Sequence, residues 1–567
     1  MRLKRRGMKL LALFLGLSLV AAACGDDDDG DEGSEGTDGT EETTDGDESE
    51  GVGGGEFIDL GTIVGDPLEH IDPALNTTLD AFQVITALYD GLTDTGIDED
   101  GNPAIVPDVA ESYEANDDAT VWTFQIREGV TFDNGEEVLP SSFAAGWERA
   151  SDPEFAGDYS YLFNFIEGGA EKLAGEADTL AGVEADDEAM TLTVTLAEPY
   201  SNFDAVAGFQ LFMPMPKEAT EADDFSAWEN GIMIGNGPYK MESPRTSTEI
   251  VLVKNEEWAG NAEGETFDDR LDRIEFRVSA DPDTAYNAFE AGEGHNANIP
   301  PALVEQAQAD YETTLDSLFL GSYHFVFNDR NPLVGGEENL ALRQAISLSI
   351  DREDINTSVY NGSRTTSTGI VPEGIPGWTE GICEFCAYDL DAAKAKYQEW
   401  VDAGNTQTEP IPVQFNADAG HEPVVAIMVD NMKAAGIDAV AQPMVGETYF
   451  SDLADGACVF CRSGWIADYP AYDNFMYDLF HTDALDGNNY GFSNPEFDAL
   501  VEEGKRTPDK DEQAELFNDA ERILLNDATM AVPVNWYRGD YVYDPERVAE
   551  FPQEFGIIRW ERVRLAE

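Results

Sequence analysis

The sequence predicts a large α/β protein with two or three lobes, carried behind an export leader and an acidic linker. Patterns typical of helices and of strands alternate along most of the chain, which favours α/β lobes. The part after residue 55 of this 567-residue chain is too long for one hydrophobic core, since single cores stop growing at about 250–300 residues. The chain begins with basic residues, which are followed by an apolar run and then by acidic residues. This order indicates that the folded part is exported.

Turn residues and apolar spacing place the individual elements. Residues 121–126 (VWTFQI) alternate as a strand and stop before a turn. Residues 79–88 have helical spacing, Ser141 or Ser142 is suited to cap a helix that runs to Arg149, and Asp351 is suited to cap another. Further helices are expected at 339–349, 392–401 and 423–435, and further strands at 192–196, 250–253, 274–278 and 413–415.

Residues 1–23 have the parts of a signal peptide. Five cations precede an apolar run that ends in three alanines. This run of ~14 residues is too short to span a bilayer core of ~30 Å as a mature helix. Cys24 follows the alanines directly, which predicts lipoprotein processing, a lipidated Cys24 and an acyl anchor at the membrane surface. Ala21 stands where such signals more often carry Leu, and ordinary secretion is the alternative.

Residues 24–55 are expected to form a disordered tether behind the anchor. Residues 25–55 contain fourteen acidic side chains and no basic one, and Val52 is their only large apolar residue. Such a segment buries too little apolar area to offset its chain entropy, and its self-repulsion extends it. The tether would therefore lift the folded part off the surface.

The acidity of the whole chain limits its partners. The formal net charge is −83, which argues against nucleic-acid binding, because that affinity depends on cations that neutralise phosphates. A surface solvated in a saline habitat is the simplest interpretation, since salt screens self-repulsion over ~8 Å or less. Attraction of cationic solutes is the alternative.

Four cysteines follow Cys24 in two C-x-x-C pairs, Cys383 with Cys386 and Cys458 with Cys461. Outside the cytoplasm the environment favours disulfides, while two such pairs also suit zinc or a redox motif. The spacing leaves open whether the bridges lie within each pair or across the pairs.

Motifs of enzymes are missing from the sequence. It contains no GxSxG, no HExxH and no GxxxxGK[ST], and its five histidines are too far apart for a metal site or a catalytic triad. Pairs of carboxylates are too common in so acidic a chain to identify a glycosidase. We therefore expect no catalysis, no cofactor and no metal.

A series of short motifs runs in order through the chain. They are 88–93 (LYDGLT), 122–124 (WTF), 126–130 (IREGV), 132–135 (FDNG), 235–240 (GNGPYK), 325–328 (FVFN), 342–347 (LRQAIS), 350–353 (IDRE), 464–470 (GWIADYP), 473–475 (DNF), 491–495 (GFSNP) and 532–534 (VPV). Each motif is weak alone, but together the set resembles the bacterial extracellular solute-binding proteins of family 5, which include oligopeptide, dipeptide and nickel binders of ABC importers.

The resemblance implies an α/β fold of two lobes, the periplasmic-binding-protein or Venus-flytrap type, with an extra domain on the first lobe. Lobe I would comprise 56–88, 198–277 and 530–567, the extra domain 89–197, and lobe II 278–529. Crossing strands would join the lobes, and the ligand would lie in a cleft that closes by hinge motion.

The resemblance also implies a site. In peptide-binding members, the Asp of the W-x-x-D-Y motif holds the ligand's α-amino group, and here that position is Asp468. An Arg three residues before the Trp can meet a short peptide's carboxylate, and it corresponds to Arg462. A second Arg of the family pattern is absent, since Leu453 stands there, which puts the mode of C-terminus recognition in doubt. The aromatic candidates for the cleft wall are Trp465, Tyr469, Tyr472, Phe475, Trp536 and Tyr537. For each of them, packing in a core is an equally good explanation.

These implications lead to four competing hypotheses. The first is a monomeric, lipid-anchored peptide binder on the outer face of the cell membrane, which delivers peptide ligands to ABC transporter permease subunits. The second is a binder of another solute, such as an oligosaccharide, a nickel complex or an opine-like compound. The third is a secreted hydrolase, and the fourth is a surface adhesion protein. A buried carboxylate at Asp468 favours a ligand with an ammonium group, and therefore the first hypothesis.

Overall fold

The computed structural model describes residues 54–65, 67–97, 103–155, 157–222, 225–262, 264–417, 419–484 and 490–566. The predicted signal peptide, Cys24 and residues 25–53 of the acidic linker lie outside the described residues. In the described part, no helix combines the length and the apolar character needed to cross a membrane.

The α-helices of this part are α1 (Leu79–Leu88), α2 (Pro140–Ala150), α3 (Gly169–Leu173), α4 (Phe203–Ala207), α5 (Lys217–Thr220), α6 (Phe225–Glu229), α7 (Pro282–Glu290), α8 (Val304–Asp310), α9 (Leu340–Ser349), α10 (Arg352–Tyr360), α11 (Leu390–Asp402), α12 (Glu422–Ala434), α13 (Tyr449–Asp452), α14 (Asp473–Phe480), α15 (Pro495–Arg506) and α16 (Lys510–Arg522). The helices expected from spacing are all present, and Asp351 caps α10 as predicted by accepting a hydrogen bond from Asp354 N.

The strands are β1 (Glu56–Asp59), β2 (Thr93–Ile97), β3 (Pro103–Pro107), β4 (Ala110–Ala115), β5 (Val121–Ile126), β6 (Val183–Asp186), β7 (Thr191–Thr195), β8 (Tyr239–Met241), β9 (Glu249–Lys254), β10 (Arg273–Arg277), β11 (Asn296–Asn298), β12 (Thr314–Phe327), β13 (Thr365–Thr366), β14 (Ile411–Asn416), β15 (Ala439–Met444), β16 (Phe460–Ile466), β17 (Ala531–Tyr543), β18 (Val548–Glu550), β19 (Gln553–Glu554), β20 (Ile557–Ile558) and β21 (Arg564–Leu565).

Two long antiparallel strands, β12 and β17, run through the middle of the main sheet. The strand order is β15-β14-β16-β12-β17-β11-β1-β10-β9-β8, and β13 also pairs with β17. β12 and β17 pair from Thr314↔Val542 to Val326↔Ala531, with two register shifts between. They therefore connect a half built on β14–β16 to a half built on β1 and β8–β11, which gives two lobes joined by crossing strands.

A separate antiparallel sheet forms the extra domain, in the order β4-β5-β7-β6. The predicted alternation of β5 is present, because Trp122, Phe124 and Ile126 are buried while their neighbours are half-buried. These side chains pack with Phe143 and Trp147 of α2. Side chains that alternate along a strand line one face of the sheet, so this face and α2 build a separate core.

The glycines of residues 235–240 let two backbones meet. Gly237 N donates a hydrogen bond of 2.9 Å to Leu88 O, and a Cβ at Gly235 would overlap the same carbonyl group. Asn236 completes the junction, since its amide pairs with the backbone of Asp90 in both directions at 3.0 and 3.2 Å. Two of the sequence motifs thus meet in one turn of the first lobe.

Residues 282–311 pack with the first lobe, which differs from the predicted start of lobe II at residue 278. β11 pairs in parallel with β1 and antiparallel with the end of β17, and α7 packs its buried residues beside Leu60 and Val542. A strand of three residues is too short to show a period, so this pairing could not be predicted from sequence patterns. The other domain bounds stay predictions.

Both cysteine pairs lie in the second lobe. The structure joins Cys383 to Cys386 and Cys458 to Cys461, so each bond closes within one C-x-x-C unit. All four residues are buried in the large apolar core of this lobe.

Candidate functional site

A cavity of about 600 Å³ lies where the second lobe faces the first lobe and the extra domain. Residues 464–470 and Phe450 line it from the second lobe, residues 76–79 from the first lobe, and Tyr159 from the extra domain. Its size falls within the range of about 300–1,000 Å³ that is usual for ligand pockets. The cavity is therefore the candidate site.

β16 brings Asp468 to this cavity. The strand pairs antiparallel with β12 up to Gly321↔Ile466, and Ala467 N still donates to Leu320 O at 2.8 Å. Asp468 follows where the pairing ends, so its backbone leaves the sheet at the cavity wall. The central sheet therefore fixes the position of this carboxylate on the second lobe.

Asn474 on α14 orients Asp468 through its amide group. Its Oδ1 accepts hydrogen bonds from Asp468 N at 3.0 Å and from Trp465 Nε1 at 2.9 Å. Its Nδ2 donates to Asp468 Oδ2 at 3.3 Å and to Asp478 Oδ2 at 2.9 Å. Asn474 is fully buried, and these four bonds use the whole hydrogen-bonding capacity of its amide.

Asp468 is an acid without a cationic partner in the described part of the chain. No Lys, Arg or His there forms an ion pair with it, and its polar neighbours are the side chains of Asn474 and Tyr159. Burial raises the pKa of the Asp468 carboxyl to about 6, and the hydrogen bonds from Asn474 and Tyr159 limit this rise. A buried ionised carboxylate is costly unless it is paired, so this position favours a cation from a ligand.

Arg462, at the other end of β16, is a cation without an acidic partner among the described residues. Its Nη2 donates to Tyr537 Oη at 3.2 Å, and its guanidinium lies 5.3 Å from the centroid of the Tyr323 ring. Its Nε is buried without a hydrogen-bond partner. Arg462 does not line the cavity itself, but a Cβ on the cavity residue Gly464 would lie 3.3 Å from its Nη2.

Some of the aromatic candidates line the cavity, and others are packed in the core away from it. Trp465 and Tyr469 line the cavity, and Tyr469 also packs into the core of the extra domain. Trp536 is 3 % exposed, does not line the cavity, and lies 5.6 Å from Trp378 between ring centroids. Tyr472 and Phe475 are buried in the core of the second lobe, and Leu453 is buried in the same core.

Sequence reasoning missed Tyr159 and the role of Asn474. Tyr159 lies in a short 3-10 helix of the extra domain, Asp158–Phe165, which reaches the second lobe only in the folded chain. Asn474 was visible as part of the motif 473–475, but its bonds to Asp468 depend on the turn between β16 and α14. In the described residues, no cluster of three or more His, Cys, Asp and Glu side chains is arranged for a metal ion.

A family model described as bacterial extracellular solute-binding proteins, family 5 middle, matches residues 104–486. The chain belongs to this family. It is similar to the oligopeptide-binding protein OppA of Bacillus subtilis, with 27% identity over 484 residues that cover 81% of this chain and 84% of that protein. It is also similar to the dipeptide-binding protein DppE of the same organism, with 24% identity and coverages of 86% and 89%.

Solved structures of similar shape confirm the two-lobe fold. The murein tripeptide binding protein MppA of Escherichia coli has a TM-score of 0.72 and 23% identity, and the match covers 91% of this chain and 99% of that one. Haemophilus influenzae OppA in complex with the peptide RPPGFSPFR has a TM-score of 0.68 and 22% identity, with the same coverages. The predicted Venus-flytrap fold with an extra domain is therefore correct.

We predict that Asn474→Ala lowers the free energy of unfolding by about 2–4 kcal/mol, because it removes a fully buried amide and leaves the part-buried Trp465 Nε1 and Asp468 N without acceptors. Urea unfolding followed by Trp fluorescence measures this change. The matched control is Asn287→Ala on the exposed side of α7, where we expect a change within about 0.5 kcal/mol. Equal stability of the two variants would show that the Asn474 amide does not hold this part of the site.

Proposed function

We propose that this family member captures peptides in the cleft between its lobes and delivers them to the permease subunits of an ABC importer. The observation that supports a peptide is the pair of uncompensated charges, since Asp468 lacks a cation and Arg462 lacks an anion within the described chain. A peptide carries an ammonium group and a carboxylate. An oligosaccharide would supply no cation for Asp468.

The geometry of β16 supports a short, extended ligand. Arg462 and Asp468 are six positions apart on a segment that is extended up to Ile466, so their Cα atoms are separated by at most about 20 Å. Threonine and amide side chains of residues 76–78, 93 and 210 also line the cavity and suit contacts with a peptide backbone.

The names of the similar proteins point to the same ligand class. OppA and DppE of Bacillus subtilis are named as oligopeptide- and dipeptide-binding proteins, and OppA of Haemophilus influenzae was solved with a bound peptide. Similar proteins of Escherichia coli and Salmonella typhimurium are named as periplasmic. These names support peptide capture on the outer side of a membrane.

We expect Asp468→Asn to weaken the binding of trialanine by about tenfold to 150-fold, since a charge-assisted hydrogen bond contributes about 1.5–3 kcal/mol. The variant keeps the shape of the side chain but loses its charge. Isothermal titration calorimetry at pH 7.5 measures the affinity, and N-acetyl-trialanine tests the partner group, because it should bind the native protein and the variant alike. The control is Asp283→Asn at an exposed position of α7. Unchanged affinity of Asp468→Asn for trialanine would contradict the role of this carboxylate.

Arg462 is proposed to meet the carboxylate of the ligand, because a guanidinium pairs well with carboxylate oxygens. Arg462→Gln should weaken the binding of trialanine by about tenfold to 150-fold but should leave the binding of trialanine amide unchanged. The same calorimetric titrations measure both affinities, with Arg522→Gln on the partly exposed end of α16 as the control. If the amide and the free acid bind the native protein equally, the charge of the ligand's carboxylate contributes nothing to binding, which would contradict the role proposed for Arg462.

We also propose that Cys24 is lipidated, that the protein acts as a monomer at the outer face of the membrane, and that both C-x-x-C units are disulfides there. The sequence around Cys24 and the buried, adjacent positions of the four other cysteines support this. Intact mass spectrometry should show acyl groups and no alkylation of thiols before reduction. Cys24→Ser should move the protein into the soluble fraction, whereas Ser49→Ala should not. Alkylation of native protein without reductant would contradict the disulfides.

A further inference from the structure

Two carboxylates share one amide group behind the candidate site. The Nδ2 atom of Asn474 donates one hydrogen to Asp468 Oδ2 and the other to Asp478 Oδ2. Asp468 lines the main cavity, whereas Asp478 lines a second cavity of about 280 Å³ between the extra domain and the second lobe. The proposed capture of peptides in the main cavity uses Asp468 and assigns no role to Asp478.

Most groups that face Asp478 are acids or neutral donors. Asp473 lies on the same helix, and Tyr469 Oη donates to Asp478 Oδ2 at 3.5 Å. Tyr161 of the extra domain and Tyr200, which packs in the core beside it, face Asp478 and carry no charge at neutral pH. Asp473 is itself satisfied by Tyr200 Oη and Asn202 Nδ2, at 2.6 and 2.7 Å. None of these groups offsets a negative charge on Asp478.

Lys505 of α15 is the cation that faces Asp478, and it is engaged elsewhere. Its Nζ lies 3.5 Å from the centroid of the Tyr477 ring and 5.7 Å from those of Phe165 and Tyr200. The other charged residues at the second cavity are Glu198, Asp483, Glu502 and Arg506, and Arg506 pairs with Glu502. One ammonium therefore stands against two buried carboxylates that are joined through Asn474.

Two such carboxylates do not both ionise readily, because like charges in a buried site oppose each other and share their protons as a pair. Burial, followed by the charges of Asp468 and Asp473, raises the pKa of Asp478 well above its usual value. Burial also raises the pKa of Asp468 to about 6. The pair therefore retains one proton at a pH where Asp468 alone would be almost fully ionised.

We propose that Asp468 and Asp478 act as one proton-linked pair, which holds a proton while no ammonium group is bound and releases it when one binds Asp468. The ligand's ammonium group keeps its own protons, and the released proton passes to the buffer. The added positive charge takes the place of the proton in neutralising the pair. This proposal rests on the proposed capture of an ammonium group and adds Asp478 as the residue that sets the pH dependence of capture.

Calorimetry in two buffers of different ionisation enthalpy counts the protons released per trialanine bound. At pH 7.5 the amino group of free trialanine is only partly protonated, so both proteins take up the same fraction of a proton when it binds as an ammonium group. We expect the native protein to show in addition the release of a proton from the pair, whereas Asp478→Asn should show the ligand's uptake alone, because a single carboxylate with a pKa of about 6 is already ionised there. At pH 5.5 both proteins should release protons. Equal release by the two proteins at pH 7.5 would overturn the proposal, and Asp283→Asn should match the native protein at both pH values.

A ligand-free measurement separates this proposal from the proposed function. A carboxyl group whose pKa is raised on folding binds more protons in the folded state, so it makes stability fall as pH rises from its unfolded pKa of about 3.9 through its folded pKa. Urea unfolding of the native protein should therefore lose stability from pH 5 to pH 8 more steeply than Asp478→Asn does. Parallel stability profiles of the native protein and Asp478→Asn would overturn the proton-linked pair. If the two profiles diverge but trialanine does not bind, the result would count against peptide capture alone.

Discussion

An ionised carboxylate with little access to water is stabilised by a cation, and the described part of this chain supplies none for the half-buried Asp468. The rest of the site is arranged around this constraint. β12 and β16 carry the residue to the cavity wall, Asn474 uses its whole amide to orient it, and Tyr159 reaches it from the extra domain. This arrangement is the basis for the proposal that a positively charged group of the ligand completes the site.

Contacts between the second lobe and the extra domain surround the same carboxylate. Tyr469, the next residue, is buried in the core of the extra domain, and Asp473 accepts hydrogen bonds from Tyr200 and Asn202. Lys510 Nζ donates to Ser201 O at 3.0 Å, and Gln513 Nε2 donates to Ser201 Oγ at 2.8 Å. These contacts hold the second lobe against the neighbouring core beside the segment that carries Asp468.

The sequence predicted the fold well where local signals were strong. Helix α1 has the predicted bounds because Thr78 caps it at one end and Tyr89 ends it in an extended conformation. The alternation of β5 predicted which of its side chains are buried. The pairing of β11 with β1 could not be predicted from the sequence, because it joins distant parts of the chain through three residues. Asp468 could be named from a motif, whereas Tyr159, Asn474 and Asp478 became visible only when folding brought them together.

A crystal structure of the protein with bound trialanine examines the central claim directly. We expect the ammonium nitrogen to lie within about 3 Å of a carboxylate oxygen of Asp468, enclosed between the second lobe and Tyr159. A complex in which the Asp468 side chain faces bulk solvent, while other residues hold the amino end of the peptide, would contradict the proposed role of Asp468.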